Sequence, residues 1–317
     1  MSKYKEFDNS VLKKYRVADR QSKINISDFA KIVNVNMHTF LQCLPDIQKG
    51  KDFKDFMLSI KTAISKKKPI ILGIGGHVIK TGMSPLLIEI MRLGGIQGIC
   101  CNGSVVIHDF EVSCFGKTSE DVAEALRDGS FGMATDTCDT INQIVCQGSQ
   151  EQLGYGEAIG KYFCEHAPDL AHPELSIFQN AYELDIPVTV HVAIGTDINH
   201  QHETADGKAI GDCSMRDFRI FTNLVSQLDD GGVFINFGSA VIIPEVFLKA
   251  VTVCRNVTGK PHKFTTAVFD MNYHYRPQTN IVERPVMNEG NGYYFIGHHE
   301  IMIPLVLACM REIITER

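Results

Sequence analysis

Pro69-Ile70-Ile71-Leu72-Gly73-Ile74-Gly75-Gly76 and Gly231-Gly232-Val233-Phe234-Ile235-Asn236-Phe237-Gly238-Ser239 decide the fold of this chain. Each is an apolar strand that runs straight into a glycine turn and then a helical pattern. A helix that starts at such a turn aims free backbone N–H groups and the positive end of its dipole above the strand end. Glycine lacks the Cβ that would hold a ligand off that backbone. Two such ends in one sheet point to a nucleotide or phosphate crevice, although glycine also serves parallel-sheet turns that bind nothing.

Working outward, further strands are expected at Ile96–Cys101, Pro187–Ala193, Phe264–Phe269 and Tyr293–Ile296. Helices are expected through Pro85–Leu93, Val122–Arg127, Asp136–His172, Glu174–Leu184, Met215–Leu228 and Pro244–Cys254. Strands alternating with such helices imply right-handed crossovers and a parallel sheet. The expected architecture is a Rossmann-like, doubly wound, mainly parallel α/β sheet in a single domain over 66–317. Residues 1–65 form an N-terminal helical extension, with an amphipathic turn at Asp28–Val33 and helical spacing from Phe53 to Ala63.

With 317 residues, the chain has length enough for a large core. Its net charge of −6 opposes a nucleic-acid footprint. No apolar run reaches membrane-spanning length. The ten cysteines include no C-x-x-C pair and follow no signal peptide, which implies reduced thiols in the cytoplasm. Cys100 and Cys101 are neighbours on a strand and should face opposite sides of the sheet.

Several blocks resemble deoxyhypusine synthase in sequence order. Gly76-His77-Val78-Ile79-Lys80-Thr81-Gly82 stands at the family's S-N-L-I-S-S-G, and Cys101-Asn102-Gly103-Ser104 at its T-A-G-G. Pro173-Glu174 through Pro187-Val188 is similar to N-P-E-S-V-Y-Y-W-A-Y-K-N-N-I-P-V. Gly238-Ser239-Ala240-Val241 falls at G-G-G-V-V, and Ile301–Ala308 at L-V-F-P-L-L-V-A. The resemblance implies a Rossmann-like fold of the deoxyhypusine synthase type, NAD at the strand ends, and a homotetramer with sites at subunit interfaces. On that basis Gly75, Gly76, Thr81, Asn102, Gly103, Ser104, Gly238 and Ser239 are the expected cofactor-binding residues. The family's imine-forming lysine is missing: counting on from Arg276-Pro277, Pro285 takes its place and Glu283 takes that of the preceding tryptophan. Proline has no amine, so the lysine chemistry of a true deoxyhypusine synthase does not run there. The acidic E-E-D after the second turn is replaced too, by Val106-Ile107-His108-Asp109.

Four polar segments follow predicted strands and can meet at one sheet edge: His108-Asp109, His200-Gln201-His202-Glu203, Tyr273-His274-Tyr275-Arg276 and His298-His299-Glu300. In one reading His108, Asp109, His298, His299 and Glu300 are acids and bases around a nicotinamide. Asp197, His200, His202, His274, Arg276 and Arg284 then hold a small amine or amino-acid-like substrate, the arginines clamping an anion. In a second reading His200, His202, His298 and Glu300 bind a metal in a hydrolase or lyase. H-x-H puts both imidazoles on one face only if that segment is extended. A third reading is a nucleotide-binding protein without turnover. Lys80, beside the first glycine turn, either neutralises a pyrophosphate, supplies a relocated amine, or is a solvated helix-end residue. His191, inside a strand, reads as a core histidine.

Overall fold

The structure is a computed structural model that describes residues 37–316. The amphipathic turn expected at Asp28–Val33 lies outside the described residues. Six strands form one sheet: β1 (Ile70–Ile74), β2 (Gly98–Asn102), β3 (Val188–His191), β4 (Val233–Phe237), β5 (Thr265–Asp270) and β6 (Asn291–Ile296). Their order is β3-β2-β1-β4-β5-β6, and every pair is parallel. This is the doubly wound order, and it reverses between β1 and β4, the point where sheets of this kind carry their ligands at the carboxyl ends of the strands.

The chain enters through α1 (Met37–Cys43) and α2 (Gln48–Ser65). Between β1 and β2 lie α3 (Gly76–Lys80) and α4 (Ser84–Arg92). The long connection to β3 holds α5 (Gly103–Phe115), α6 (Val122–Ala125), α7 (Thr135–Gln150), α8 (Tyr155–His166) and α9 (Ile177–Glu183). Next come α10 (Gly207–Ser226) before β4 and α11 (Ile242–Thr258) before β5. After β5 are α12 (Tyr275–Pro277) and a π-helical turn at Gln278–Glu283, and after β6 comes α13 (His299–Thr315).

Alternate strand residues feed two cores. Ile71, Cys100, Phe234, Val268 and Tyr294 pack with Phe221 of α10 and Phe247 of α11, the rings of Phe234 and Phe247 stacked 3.9 Å apart. Leu72, Cys101, Ile235, Phe269 and Phe295 face the other way. Cys100 and Cys101 therefore separate as a strand requires. The second core also takes Phe53, Phe56, Met57 and Ile60 of α2, with Phe56 against Phe269 and Phe295. Helix α2, the last part of the expected N-terminal helical extension, thus covers the sheet.

The helix expected over Asp136–His172 is split into α7 and α8, and two others differ from the sequence reading. The stretch after Asn102 is all helix, α5, whose apolar residues point to several sides because it packs on α3, α7 and the sheet. Such a helix carries no single stripe. Helix α10 starts at Gly207 rather than Met215, capped by Asp206, whose side chain accepts from Lys208 N and Ala209 N.

Candidate functional site at the carboxyl edge of the sheet

At the reversal point the ladder runs one residue past the strands. Gly75 N donates to Phe237 O (3.0 Å), Gly238 N to Phe269 O (3.1 Å), and Gly297 N to Asp270 O (3.0 Å). The two glycine turns quoted at the outset therefore lie side by side. A Cβ on Gly75 would stand 2.5 Å from the carbonyl oxygen of Gly238. Gly238 itself is left-handed (φ 67°), and a Cβ there would stand 2.5 Å from His299 Nε2. His299, 1% exposed at the start of α13, meets His77 of α3 edge to face with ring centroids 5.4 Å apart. Burial holds both imidazoles below the usual histidine range, while Asp270 and Glu300 pull the other way. His299 Nδ1 is buried without a partner. Gly75 and Gly76 are buried and Gly238 half-buried, packed on one another and under His299, so the orphaned His299 Nδ1 is what fits a polar ligand group at this point.

The rim beyond is acidic and basic by turns. Asp270 ends β5 and has His274 Nε2 3.6 Å away. His298 Nδ1 and Glu300 Oε1 are 3.8 Å apart, both exposed.

The β2–β3 side has a different chemistry. A Cβ on Gly103 would stand 2.1 Å from Asp197 Oδ2, so a carboxylate of the protein fills the space before α5. Asp197 is 6% exposed, its Oδ2 has no partner, and burial raises its pKa to about 6. A phosphate at Asn102-Gly103-Ser104 would meet that carboxylate first, so this turn does not fit the cofactor role expected of it. Ser104 Oγ is already spent on Asn102 Oδ1 (3.1 Å).

His108 faces the same region through a relay. Thr118 Oγ1 donates to Glu111 Oε2 (2.5 Å), because a carboxylate only accepts. The 2.8 Å contact between Thr118 Oγ1 and His108 Nδ1 must then be donated by the ring, which leaves the lone pair on Nε2. Burial, then Lys80 and His77, lower the His108 pKa to about 4. His108 is thus a fixed neutral acceptor, too weakly basic for the proton-transfer role expected from its sequence position. Long-range 15N–1H spectra should show the Nδ1–H tautomer throughout pH 5–8, and Thr118→Val should release that preference.

Asp109 does not join its neighbour. It is fully buried and accepts from Ser176 Oγ (2.6 Å) and Ile177 N (2.9 Å) at the start of α9, so it ties α5 to α9 and touches no crevice. Ser176 also caps α9 through Gln179 N. Ser176→Ala is expected to cost about 1–2 kcal/mol in urea unfolding.

Among the other expected site residues, Thr81 Oγ1 donates back to His77 O at the far end of α3, away from the glycine turn. Ser239 Oγ accepts from Ile243 N and caps α11. Arg276 Nε lies 3.5 Å from Glu245 Oε1, and Arg284 donates to Asn280 Oδ1, whose own amide donates to Glu245. Both arginines are exposed and linked through one glutamate, on the α11 side of the sheet. Pro285 is buried with its carbonyl held by Arg255 at 2.6 Å. It lies on the approach to the amino end of β6, the edge opposite the crevice.

The histidine clusters do not converge. His200 Nδ1 accepts from Gly195 N and Asp197 N, whereas His202 turns to Asp139 Oδ1 (3.0 Å) and Gly132 O (2.9 Å). Both nitrogens of His202 thus face oxygen atoms of the protein. Their segment is a 3-10 turn, Ile198–Gln201, rather than extended. Among the described residues no three His, Cys, Asp or Glu side chains form a group that could hold a metal ion. His191 is a core residue: it bonds Thr189 Oγ1 (3.1 Å), packs on Phe221, and burial lowers its pKa to about 3.

Three contributors escape the sequence reading: His77, Asp270 and the Thr118–Glu111 relay. His77 follows the first glycine turn and Asp270 ends a strand that was itself legible, so position alone marks both. The relay joins residues of a helix and a loop, and no spacing announces it.

No family model matches the chain, and no curated protein does. Solved structures do match. AgrE, in its complex with ornithine and NAD+, superposes with a TM-score of 0.55 at 9% identity, covering 84% of this chain and 34% of that one. A candidate LOR/SDH protein from Methanococcus maripaludis gives 0.50 at 17% identity, over 83% of this chain and 68% of that one. A candidate deoxyhypusine synthase from Entamoeba histolytica gives 0.50 at 11% identity, over 87% and 92%. This chain spans about a third of the length of AgrE. The shared feature is the fold, as the sequence resemblance implies. No helix of the described residues is long and apolar enough to cross a membrane.

Proposed function

We propose that this chain is a nicotinamide-dinucleotide-dependent enzyme acting on a small amine or amino-acid-like substrate. The observation that carries the proposal is the meeting of two glycine turns, Gly75-Gly76 and Gly238, at the strand-order reversal beneath the neutral pair His77 and His299. A protein of the same fold, AgrE, has been seen with ornithine and NAD+. When bound, the nicotinamide accepts a hydride from a carbon next to nitrogen or oxygen. Gly75, Gly76 and Gly238 form the backbone turns that would hold the cofactor, with His299 Nδ1 as a further polar contact. His298 and Glu300, exposed and 3.8 Å apart, are the groups placed to pass protons to solvent. The reading includes a cytoplasmic homotetramer, the assembly that the resemblance implies, and light scattering of the purified protein tests the stoichiometry.

The decisive experiment is a calorimetric titration with NAD+ followed by a screen of amines and amino acids for NADH fluorescence. Saturable binding with NADH formation supports the enzyme. Binding without product from any amine favours a nucleotide-binding protein without turnover. No binding at millimolar NAD+ ends the dinucleotide reading.

A further inference from the structure

Beside the crevice, at the carboxyl ends of β2 and β3, lies a cavity of about 250 Å³. Ligands of drug size take roughly 300–1,000 Å³, so this space suits a smaller molecule than a dinucleotide. Ile107, Phe131 and Ile198 form its apolar wall. Its charged and ring-nitrogen lining is Lys80, His108 and Asp197 with the carboxylates Glu111 and Glu120. Lys80 is exposed at the end of α3 and presents only donors. Asp197 is almost wholly buried, and its unpartnered Oδ2 is packed against Gly103 at the start of α5. His108 is held by Thr118 so that its free Nε2 can only accept.

A buried carboxylate is costly unless it is paired, and a cation held beside it offsets that cost. Asp197 and His108 are both acceptors, so the group that satisfies them is a donor, and beside a carboxylate a cationic one is favoured. Lys80 calls for an anionic group on the same ligand. A phosphate would satisfy Lys80 but would face Asp197 as a like charge.

We propose that this cavity binds a zwitterionic amino acid, its ammonium group on Asp197 and His108 and its carboxylate on Lys80. The assignment deepens the amino-acid reading above and rests on it for the substrate class. His108 acts here as a positioning acceptor for the ammonium N–H.

The test is calorimetry of the full chain with L-ornithine, with putrescine, which lacks the carboxylate, and with 5-aminopentanoate, which lacks the α-amino group. Ornithine should bind best. Lys80→Met should weaken ornithine roughly tenfold or more and leave putrescine unchanged, since a charge-assisted contact is lost only where a carboxylate is present. Asp197→Asn should weaken ornithine and putrescine alike. Equal binding of all three compounds, binding by none, or indifference of ornithine to both substitutions overturns the assignment. Lys80 is exposed, so its variant keeps the fold, and it decides the matter alone if Asp197→Asn does not fold. A parallel NAD+ titration separates the two proposals. NAD+ binding with ornithine indifferent to both variants sinks the cavity assignment alone. Ornithine binding that depends on Lys80 and Asp197, without NAD+ binding, sustains the cavity and sinks the dinucleotide reading.

Discussion

Gly238→Ala is expected to destabilise the protein by about 2–5 kcal/mol and to weaken NAD+ binding at least tenfold. Two costs combine. An alanine held at φ 67° pays roughly 1–2 kcal/mol for the left-handed backbone. Its Cβ would also stand 2.5 Å from His299 Nε2 and 3.0 Å from Cε1. The imidazole cannot yield freely, because it is buried against His77 at the start of α13, and overpacking of this kind costs about 1–3 kcal/mol. Gly259→Ala is the control. Gly259 has a similar φ of 73° at the end of α11, yet nothing lies within 4 Å of its Cβ position. It should show the backbone cost alone and bind NAD+ as the wild type does. Urea unfolding and calorimetry on the two variants separate backbone strain from the crevice, and equal losses in both would argue against a special role for Gly238.

Asp217→Ala is expected to cost about 3–5 kcal/mol. Asp217, on α10 and 1% exposed, accepts from Val190 N (2.7 Å) and Gly156 N (3.0 Å) through Oδ2, so it ties β3 to the start of α8. Its removal leaves two buried N–H groups without acceptors, at about 1–3 kcal/mol each. Asp217→Asn keeps an oxygen for both and should cost less. The same site has a pH signature. Burial raises the Asp217 pKa to about 7, against the lowering effect of the Val190 and Gly156 bonds. Asp109 is raised to about 7 by burial as well, opposed by Ser176 and Ile177. A carboxyl whose folded pKa lies above its unfolded value binds more protons when folded. Its contribution is complete below the unfolded value near 4 and is lost as pH rises through about 7. Each group should therefore lower stability by up to about 1.4 kcal/mol per pH unit in that window. Urea unfolding from pH 5 to pH 8 should show a shallower decline in Asp217→Asn than in the wild type. Identical slopes would mean that Asp217 does not titrate there.

Adjacent polar residues were the least readable part of the site. His108 and Asp109 read as a pair in sequence, but successive helical residues diverge by about 100°. One meets Thr118 beside the cavity and the other is drawn under α9. His200 and His202 part for a similar reason, because a 3-10 turn replaces the extended segment that would align them. Lys80, by contrast, lines the cavity at the position where its place beside the first glycine turn made it notable. The element that stayed hidden, α5, is buried on several sides and lacks the stripe by which a surface helix is recognised.

The sequence by itself determined the strands, their parallel direction and the two glycine turns. These are written in local signals: runs of apolar residues, glycine at a strand end, and helical spacing in between. Tertiary structure alone decided what each turn meets. Asp197 closes the β2 turn from a loop more than ninety residues along the chain, whereas Gly75 and Gly238 meet only because β1 and β4 are neighbours in the sheet. Contacts between distant segments depend on strand order and crossover path, and no local pattern of residue types encodes either.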